Sequence, residues 1–184
     1  ICQEEAEQVI EAICNRSTNH AVMLQLPIPN HLNKDRLLNV IPQHKDVDGL
    51  TDLNMGMLVN NRQDAIVPAT AQGVYEILRR THGDDLSWLS VTVVNRSQLI
   101  GKPLQALLTN HNATVTLCHS KSEYDFEKAD IVVTGIGHAH SYYSEDFFEG
   151  QTIIDCSMNR DEDGKLCGDV NYKDVLAHGR DIDI

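Results

Sequence analysis

The stretch SVTVVNRSQLIGKPLQALLTNHNATVTLC (90–118) decides the fold of this chain. Both of its ends are apolar and rich in β-branched residues, which is typical of buried strands. The middle has helical spacing, with Pro103 near its beginning, where a helix accepts proline. The pattern therefore predicts a strand at 90–95, a helix at 100–111 and a strand at 113–118.

The same alternation continues towards the C-terminus. DIVVTG (130–135) and QTIIDCS (151–157) are further apolar strands, with a short acidic helix expected near 125–129. VLAHG (175–179) ends another helix, and RDIDI (180–184) is expected to open a strand. Continuous apolar strands separated by helices indicate a parallel sheet covered on both faces.

The N-terminal part has a different pattern. Apolar residues at helical spacing predict a helix over 3–14, and AVMLQLP (21–27) has the composition of a short buried strand. Asn33 is a suitable N-cap for a second helix, which Pro42 is expected to stop.

The middle of the chain separates these two regions. Residues 42–69 are expected to be mostly irregular, and Thr70 to cap a helix that Gly83 closes. We therefore predict an α/β protein of two parts: a partial N-terminal α/β domain (1–75) and a Rossmann-like parallel-sheet domain (76–184).

Composition limits the functions that are possible. The 184 residues include 15 basic and 27 acidic side chains, a net charge of −12, which argues against nucleic acid as a partner. No apolar run approaches the roughly 18 residues of a membrane span, and we expect no membrane partner and no signal peptide. The five cysteines contain no CxxC pair, which favours a reducing, cytoplasmic location. Because the chain starts inside a helical pattern, we expect a fragment or a processed product.

The polar turn VVNRSQLIGKP (93–103) follows the first strand of the alternating region. In a doubly wound sheet this turn holds a dinucleotide's phosphates at the positive end of the next helix. The second strand ends with Ser120 and Lys121 where an NAD site has an acid, and Arg96 lies on the preceding turn. A hydroxyl and cations suit a 2′-phosphate, hence NADP rather than NAD. Ordinary loop residues fit this spacing equally well.

Six motifs occur in order, and together they resemble the methylenetetrahydrofolate dehydrogenase/cyclohydrolase family. They are LQLPIP (24–29), KDVDGL (45–50), VPAT (67–70), NRSQLIGKP (95–103), ATVTLCHSKS (113–122) and GDV (168–170). The resemblance covers nearly the whole chain, and the combination is far more specific than any single motif.

The resemblance implies a two-domain α/β enzyme of folate one-carbon metabolism. Residues 1–75 would be a partial folate-binding, catalytic domain, and 76–184 the Rossmann-like domain that binds NAD(P). Such an enzyme oxidises 5,10-methylenetetrahydrofolate with NADP and hydrolyses the methenyl product to 10-formyltetrahydrofolate. Tetrahydrofolate derivatives are then the substrates, and a homodimer formed through the nucleotide domains is the expected assembly.

The resemblance also implies a folate site in the N-terminal part. Gln25 matches the glutamine that assists the catalytic lysine, and Asp48 matches the aspartate that hydrogen-bonds the pterin ring. Leu24 and Leu26 would line the pocket through backbone groups. Without the resemblance, Gln25 is a polar residue at a strand end and Asp48 is part of an Asp-Gly turn.

The cofactor site implied by the resemblance lies in the second region. Asn95, Arg96 and Ser97 match the GRS turn that holds the cofactor phosphates, and asparagine in place of glycine accepts turn conformations. Ser120 matches a 2′-phosphate contact. Met158 falls where the family contacts the nicotinamide side.

Three features depart from the family pattern. The YxxxK motif with the general acid/base lysine is missing, and Tyr124 and Lys128 share its spacing by coincidence. PGGVG, expected after RDIDI (180–184), is missing, and PATA (68–71) replaces PCTP. We therefore expect this chain to bind cofactor but to have little cyclohydrolase activity.

Two other functions stay open from the sequence. One is a dehydrogenase-only relative that uses NAD, and the other is a non-catalytic module that binds a dinucleotide. His138 and His140 form an HxH pair, but no third ligand is suitably spaced, so no metal is expected.

Overall fold

The computed structural model describes residues 1–178, so the strand predicted at 180–184 lies outside the described residues. The chain divides into two compact units, and the boundary between them falls between Ala69 and Thr70. The domain bounds predicted from the sequence put this boundary a few residues further along the chain. Among the described residues, no helix is both long enough and apolar enough to cross a membrane.

The first unit is helical in its described elements. Its helices are α1 (Gln3–Cys14), α2 (Lys34–Leu38) and α3 (Asp52–Val59). The predicted helix at 3–14 and the predicted cap are both confirmed, since the Asn33 side chain accepts a hydrogen bond from Arg36 N at 3.0 Å. Helix α2 ends before Pro42 is reached, with Asn39 as its C-cap.

The strand predicted at 21–27 is wrong. Val22 forms one isolated parallel bridge with Asp46, and its N–H donates to Lys45 O at 2.8 Å. Pro27 lacks the N–H that a continuing ladder needs. The side chains of 21–27 are exposed or half-buried, so no two-sided burial supports a strand here.

Segment 42–69 is mostly irregular, as expected, but it also contains a helix that the sequence pattern did not predict. The segment holds a 3-10 turn at Gln43–Lys45 and helix α3. Thr51 caps α3, since its hydroxyl accepts a hydrogen bond from Asn54 N at 3.3 Å. The apolar residues of α3 are spread around its circumference, so no one-sided pattern marks the helix in the sequence.

Helix α4 (Ala69–His82) shows one wrong and one correct expectation. Thr70 lies inside its first turn and is therefore not the N-cap. The C-terminus is as predicted: Gly83 has φ +92° and donates its N–H to Arg79 O at 2.9 Å. Glycine adopts this left-handed conformation without steric cost.

The second unit contains the predicted parallel sheet. Its strands are β1 (Ser90–Val94), β2 (Thr114–Cys118), β3 (Ile131–Thr134) and β4 (Thr152–Asp155). The order is β2-β1-β3-β4, with Val94 level with Cys118 on one side and Thr134 on the other. The carboxyl ends therefore meet at one edge, and the order reverses between β1 and β3, where such sheets bind ligands.

The remaining elements of this unit cover and extend the sheet. They are α5 (Gly101–Asn110), which packs against β1 and β2, the hairpin of β5 (Asn159–Arg160) and β6 (Leu166–Cys167), and α6 (Tyr172–Ala177). The predicted helix at 100–111 is confirmed. The helix that was predicted to end within 175–179 is also confirmed, because α6 ends at Ala177.

The acidic helix predicted near 125–129 is wrong, because this segment is a turn. Asp125 accepts a hydrogen bond from Glu127 N at 2.9 Å, a local bond that competes with helix formation. Phe126 is buried and stacks on Phe147 with ring centroids 5.6 Å apart. The aromatic contact draws this segment into the core above the sheet.

Candidate functional site

The turn between β1 and α5 is built around the side chain of Asn95. Its Oδ1 accepts hydrogen bonds from Ser97 N (2.8 Å), Ser97 Oγ (2.7 Å) and Gly101 N (3.1 Å). Its Nδ2 donates to Gly135 O in the loop after β3. The side chain therefore ties the end of β1 to the start of α5 and to the neighbouring loop.

Ser97 also stabilises the turn. Besides donating to Asn95, its hydroxyl accepts a hydrogen bond from Ile100 N at 3.1 Å. Two of the predicted phosphate-binding side chains are thus committed to the shape of the turn. Their contribution to a ligand is the placement of the backbone and of the next residue, Arg96.

A cleft of about 380 Å³ opens at the carboxyl ends of β1, β2 and β3. Its lining brings together Asn95, Arg96 and Ser120, three of the predicted cofactor residues. Arg96 and Ser120 are exposed, and their side chains form no hydrogen bond or ion pair with any described residue. Lys121, next in the chain, is exposed as well. Unpaired cationic and hydroxyl groups of this kind bind phosphate.

The residues of this cleft fit a dinucleotide that carries a 2′-phosphate. No aspartate or glutamate is among the described residues that line it. An NAD site has an acid at the end of its second strand to bind the ribose hydroxyls. Here that place holds Ser120, which can donate to a phosphate oxygen.

Asp169 is a site residue that the residue-level reasoning missed. It is fully buried, and its carboxylate accepts hydrogen bonds from two loops. The donors are the N–H groups of Ile136, Gly137 and His138 (2.6, 3.1 and 2.9 Å) after β3, and the side chains of Ser157 and Asn159 (2.7 and 3.0 Å) after β4. GDV (168–170) marked the segment in the sequence, but this role depends on contacts with residues 10–33 positions away.

Met158 does not line the first cleft. It is 84% exposed and lies at a second cleft of about 440 Å³, which is also lined by Cys156, Leu166 and Tyr172. Burial, and then the neighbouring carboxylates of Asp155 and Asp169, raises the pKa of the Cys156 thiol to about 12. The thiol is therefore protonated and unreactive at neutral pH.

Both histidines of the HxH pair form hydrogen bonds through their backbone N–H groups. His138 N donates to Asp169, and His140 N donates to Gly168 O at 3.3 Å. Across residues 1–178, no group of three or more His, Cys, Asp or Glu side chains could hold a metal ion.

In the first unit, the predicted folate residues lie on two segments joined by one backbone bridge. The bridge pairs Val22 with Asp46. Gln25 lies three residues after Val22, and Asp48 lies two residues after Asp46. Both residues therefore lie a few residues from the same bridge, on two adjacent segments. Gln25 is exposed, with Nε2 donating to Leu26 O at 3.0 Å. The side chains of Leu24 and Leu26 are half-buried.

The two aspartates of the DVDG motif have different roles. Asp46 is 1% exposed and accepts hydrogen bonds from Leu50 N, Thr51 N and Asn54 Nδ2 (3.3, 2.9 and 2.8 Å), so it shapes the loop. Asp48 accepts none from the described residues. Partial burial, and secondly the charge of Asp46, raises the pKa of the Asp48 carboxyl. A half-buried carboxylate without donors is suited to N–H groups of a ligand.

The parallel sheet, its strand order and the cleft between β1 and β3 define the class of protein. It is an α/β protein with a Rossmann-like nucleotide-binding domain. The family model "Tetrahydrofolate dehydrogenase/cyclohydrolase, NAD(P)-binding domain" matches residues 68–182, and the model of the corresponding catalytic domain matches residues 1–48. The chain belongs to the tetrahydrofolate dehydrogenase/cyclohydrolase family.

Known relatives agree with this family. "Bifunctional protein FolD" of Streptococcus thermophilus is 42% identical over 178 residues, 95% of this chain and 62% of the relative. The bifunctional FolD of Campylobacter jejuni superposes with a TM-score of 0.91 at 31% identity, covering 99% of this chain and 65% of that one. The Trypanosoma brucei enzyme, solved with NADP and an inhibitor, has a TM-score of 0.83 at 30% identity, covering 99% and 64%. The chain thus spans less than two thirds of these relatives, and the family and fold expected from the six motifs are confirmed.

Proposed function

We propose that this chain carries the cofactor and folate sites of an enzyme that oxidises 5,10-methylenetetrahydrofolate with NADP. In the whole protein, hydrolysis of the methenyl product to 10-formyltetrahydrofolate would follow. The observation that carries the proposal is the cleft in which Arg96 and Ser120 face solvent together, unpaired, where β1 and β2 end. Membership of the family supports the choice of substrate.

The cofactor residues divide into two roles in this proposal. Arg96 and Ser120 bind the 2′-phosphate, while Asn95 and Ser97 hold the turn that presents Arg96. Met158, on the loop after β4, contacts the nicotinamide side. NADP, when bound, accepts the hydride, so the work of the protein in this step is orientation.

The folate residues bind and orient the pterin ring. Asp48 accepts hydrogen bonds from ring N–H groups, which its raised pKa and lack of protein donors favour. Gln25 donates to the substrate from the adjacent segment, and Leu24 and Leu26 contribute backbone groups. These assignments follow the family motifs.

Hydrolysis requires a group that moves protons, and a lysine serves only if its pKa is lowered. Lys45, close to Asp48 in sequence, has its Nζ donating to Cys14 O at 2.6 Å. It caps the end of α1 and is not free to act at the folate. We therefore propose that this chain by itself has little cyclohydrolase activity.

The test is an assay of both reactions with the chain itself. We expect reduction of NADP by 5,10-methylenetetrahydrofolate to outpace reduction of NAD, and hydrolysis of the methenyl compound to stay near the uncatalysed rate. The Asp48→Asn variant should raise the KM for 5,10-methylenetetrahydrofolate about tenfold, which is the effect of losing one charge-assisted hydrogen bond. Asp64→Asn, at an exposed aspartate of the same unit, is the control.

The results separate the alternatives. Faster turnover with NAD would support the dehydrogenase-only relative and contradict the role of Ser120. Dinucleotide binding without any turnover would support a non-catalytic module. Normal hydrolysis would contradict the argument from Lys45. We also propose that the chain forms the homodimer that the resemblance implies; sedimentation equilibrium checks this, and a monomer would contradict it.

A further inference from the structure

The ring of Tyr124 is held rigidly at the edge of the cofactor cleft. Its hydroxyl lies 2.6 Å from that of Tyr142, and its ring stacks on Phe126 with centroids 5.3 Å apart and an interplanar angle of 27°. Tyr142 and Phe126 are 7% and 5% exposed and belong to the core of this unit. These two anchors fix a ring that is itself 38% exposed.

The exposed part of the ring belongs to the cleft. Tyr124 lines it together with Arg96 and Ser120, and Ile136 contributes an aliphatic surface from the loop after β3. That loop is fixed too, because Ile136 N donates to the buried Asp169 at 2.6 Å. The cleft therefore has one aromatic and one aliphatic wall, each on a segment anchored to the core.

The covalent structure of a dinucleotide limits what can meet these walls. The 2′-phosphate and the base are attached to adjacent carbons of the same ribose. If Arg96 and Ser120 hold the phosphate, the base must lie within a few ångströms of them. Tyr124, four residues after Ser120, presents the largest aromatic ring among the described residues that line this cleft, which also include His119 and His138.

We propose that Tyr124 is a cofactor-binding residue whose ring packs against the adenine base of the dinucleotide. This inference rests on the proposed function, since it requires that NADP binds in this cleft. Stacking of bases on aromatic rings is favourable and does not depend on the 2′-phosphate. Because the ring is already fixed, little side-chain entropy is lost on binding.

A proton-transfer role for the two tyrosines fits less well. Burial, and secondly the hydrogen bond with Tyr124, raises the pKa of Tyr142 well above its ordinary value. The Tyr142 phenol therefore stays protonated at neutral pH. The hydroxyl pair positions the ring of Tyr124.

The test compares two ligands and four variants by titration calorimetry. Adenine is common to NADP and NAD, so Tyr124→Leu should weaken binding of both by the same factor, about tenfold. Ser120→Ala should weaken NADP alone. Tyr124→Phe keeps the ring and should bind both ligands within about twofold of the parent chain. Tyr143→Leu, at an exposed tyrosine outside this cleft, should change nothing.

The outcomes distinguish this inference from the function on which it rests. If the parent chain binds no NADP, the proposed function fails. If it binds NADP but Tyr124→Leu has no effect, weakens NADP alone or is matched by Tyr124→Phe, the assignment of Tyr124 is overturned. Should the leucine variant fail to fold, nuclear Overhauser contacts between adenine H2 or H8 and the Tyr124 ring of the parent chain decide: their presence supports the inference, and their absence in the NADP complex overturns it.

Discussion

Gly101 comes so close to the carbonyl of Asn95 that no side chain fits at this position. A Cβ built there would lie 1.7 Å from Asn95 O, a backbone atom that cannot move aside alone. Its N–H also donates to Asn95 Oδ1 at 3.1 Å. The conformation of the cofactor turn therefore depends on the absence of a side chain at residue 101.

We expect Gly101→Ala to lower the free energy of unfolding by at least about 2 kcal/mol, the scale of overpacking in a tight site. Chemical denaturation measures this difference. Gly73→Ala is the matched control, because a Cβ there meets nothing within 4 Å inside helix α4. That variant should be more stable by about 0.5–1 kcal/mol. Equal effects of the two substitutions would contradict the role of the close approach.

Trp88 has a strained backbone conformation, and its exposed side chain contributes little to the stability of the fold. It has φ +73°, and its side chain is 98% exposed. A left-handed conformation costs an L-residue roughly 1–2 kcal/mol. We expect Trp88→Gly to raise the free energy of unfolding by about 0.5–1 kcal/mol once the greater entropy of glycine in the unfolded chain is subtracted. Trp88→Ala keeps the strain and should leave stability unchanged; a gain as large as that of glycine would contradict this explanation.

Single residues also show how far sequence reasoning reaches. That Arg96 and Ser120 lie in one cleft could be predicted from the ends of two strands, because the carboxyl ends of parallel strands meet at one edge of the sheet. The sequence could not predict that Asp46 shapes the loop while Asp48 is left without a hydrogen-bond donor among the described residues. Both are aspartates of one short motif, and only the burial of Asp46 among three donors separates them.

At the scale of elements, one carboxylate joins the loops that follow β3 and β4. Asp169 binds three successive N–H groups of one loop and two side chains of the other. The first loop carries Ile136 and His138, which line the cofactor cleft. Asp169 therefore fixes the positions of two residues that line the cleft, although it does not line the cleft itself.

Asp169→Asn should therefore affect both stability and ligand binding. The amide would turn an N–H donor towards backbone N–H groups and lose hydrogen bonds to a charged acceptor, at a cost of about 3 kcal/mol. We expect a lower melting temperature together with weaker NADP binding. Asp163→Asn, at an exposed aspartate on the β5–β6 hairpin, should change neither. A destabilised Asp169→Asn variant with unchanged NADP affinity would show that the loop order does not matter for the cleft.

Elements were predictable where local and tertiary preferences agree. Strands β1, β3 and β4 are apolar and largely buried, and β2, which is mostly exposed or half-buried, is still rich in β-branched residues, so composition marks all four. The segment 21–27 has the same composition, but its pairing stops after one bridge. Helix α3 was missed because its signal is the Thr51 cap and not a one-sided apolar pattern.

At the scale of the whole molecule, the predicted folate residues and the predicted cofactor residues fall in different units. The second unit contains the sheet and the cofactor cleft; the first contains the DVDG loop and Gln25. The family could be predicted from six motifs because they lie wholly or partly on loops, where function constrains the residue more than packing does. Contacts such as those of Asp169 could not, because they join positions far apart in the sequence.

The central claim is that the cleft at the ends of β1 and β2 binds NADP through its 2′-phosphate. Titration calorimetry of the chain with NADP and with NAD tests it most directly, with Arg96→Gln beside the control Arg62→Gln at an exposed arginine of the first unit. The account predicts tighter binding of NADP than of NAD, and at least a tenfold loss of NADP affinity in Arg96→Gln alone. Equal affinity for the two cofactors, or NADP binding that Arg96→Gln leaves unchanged, would contradict it.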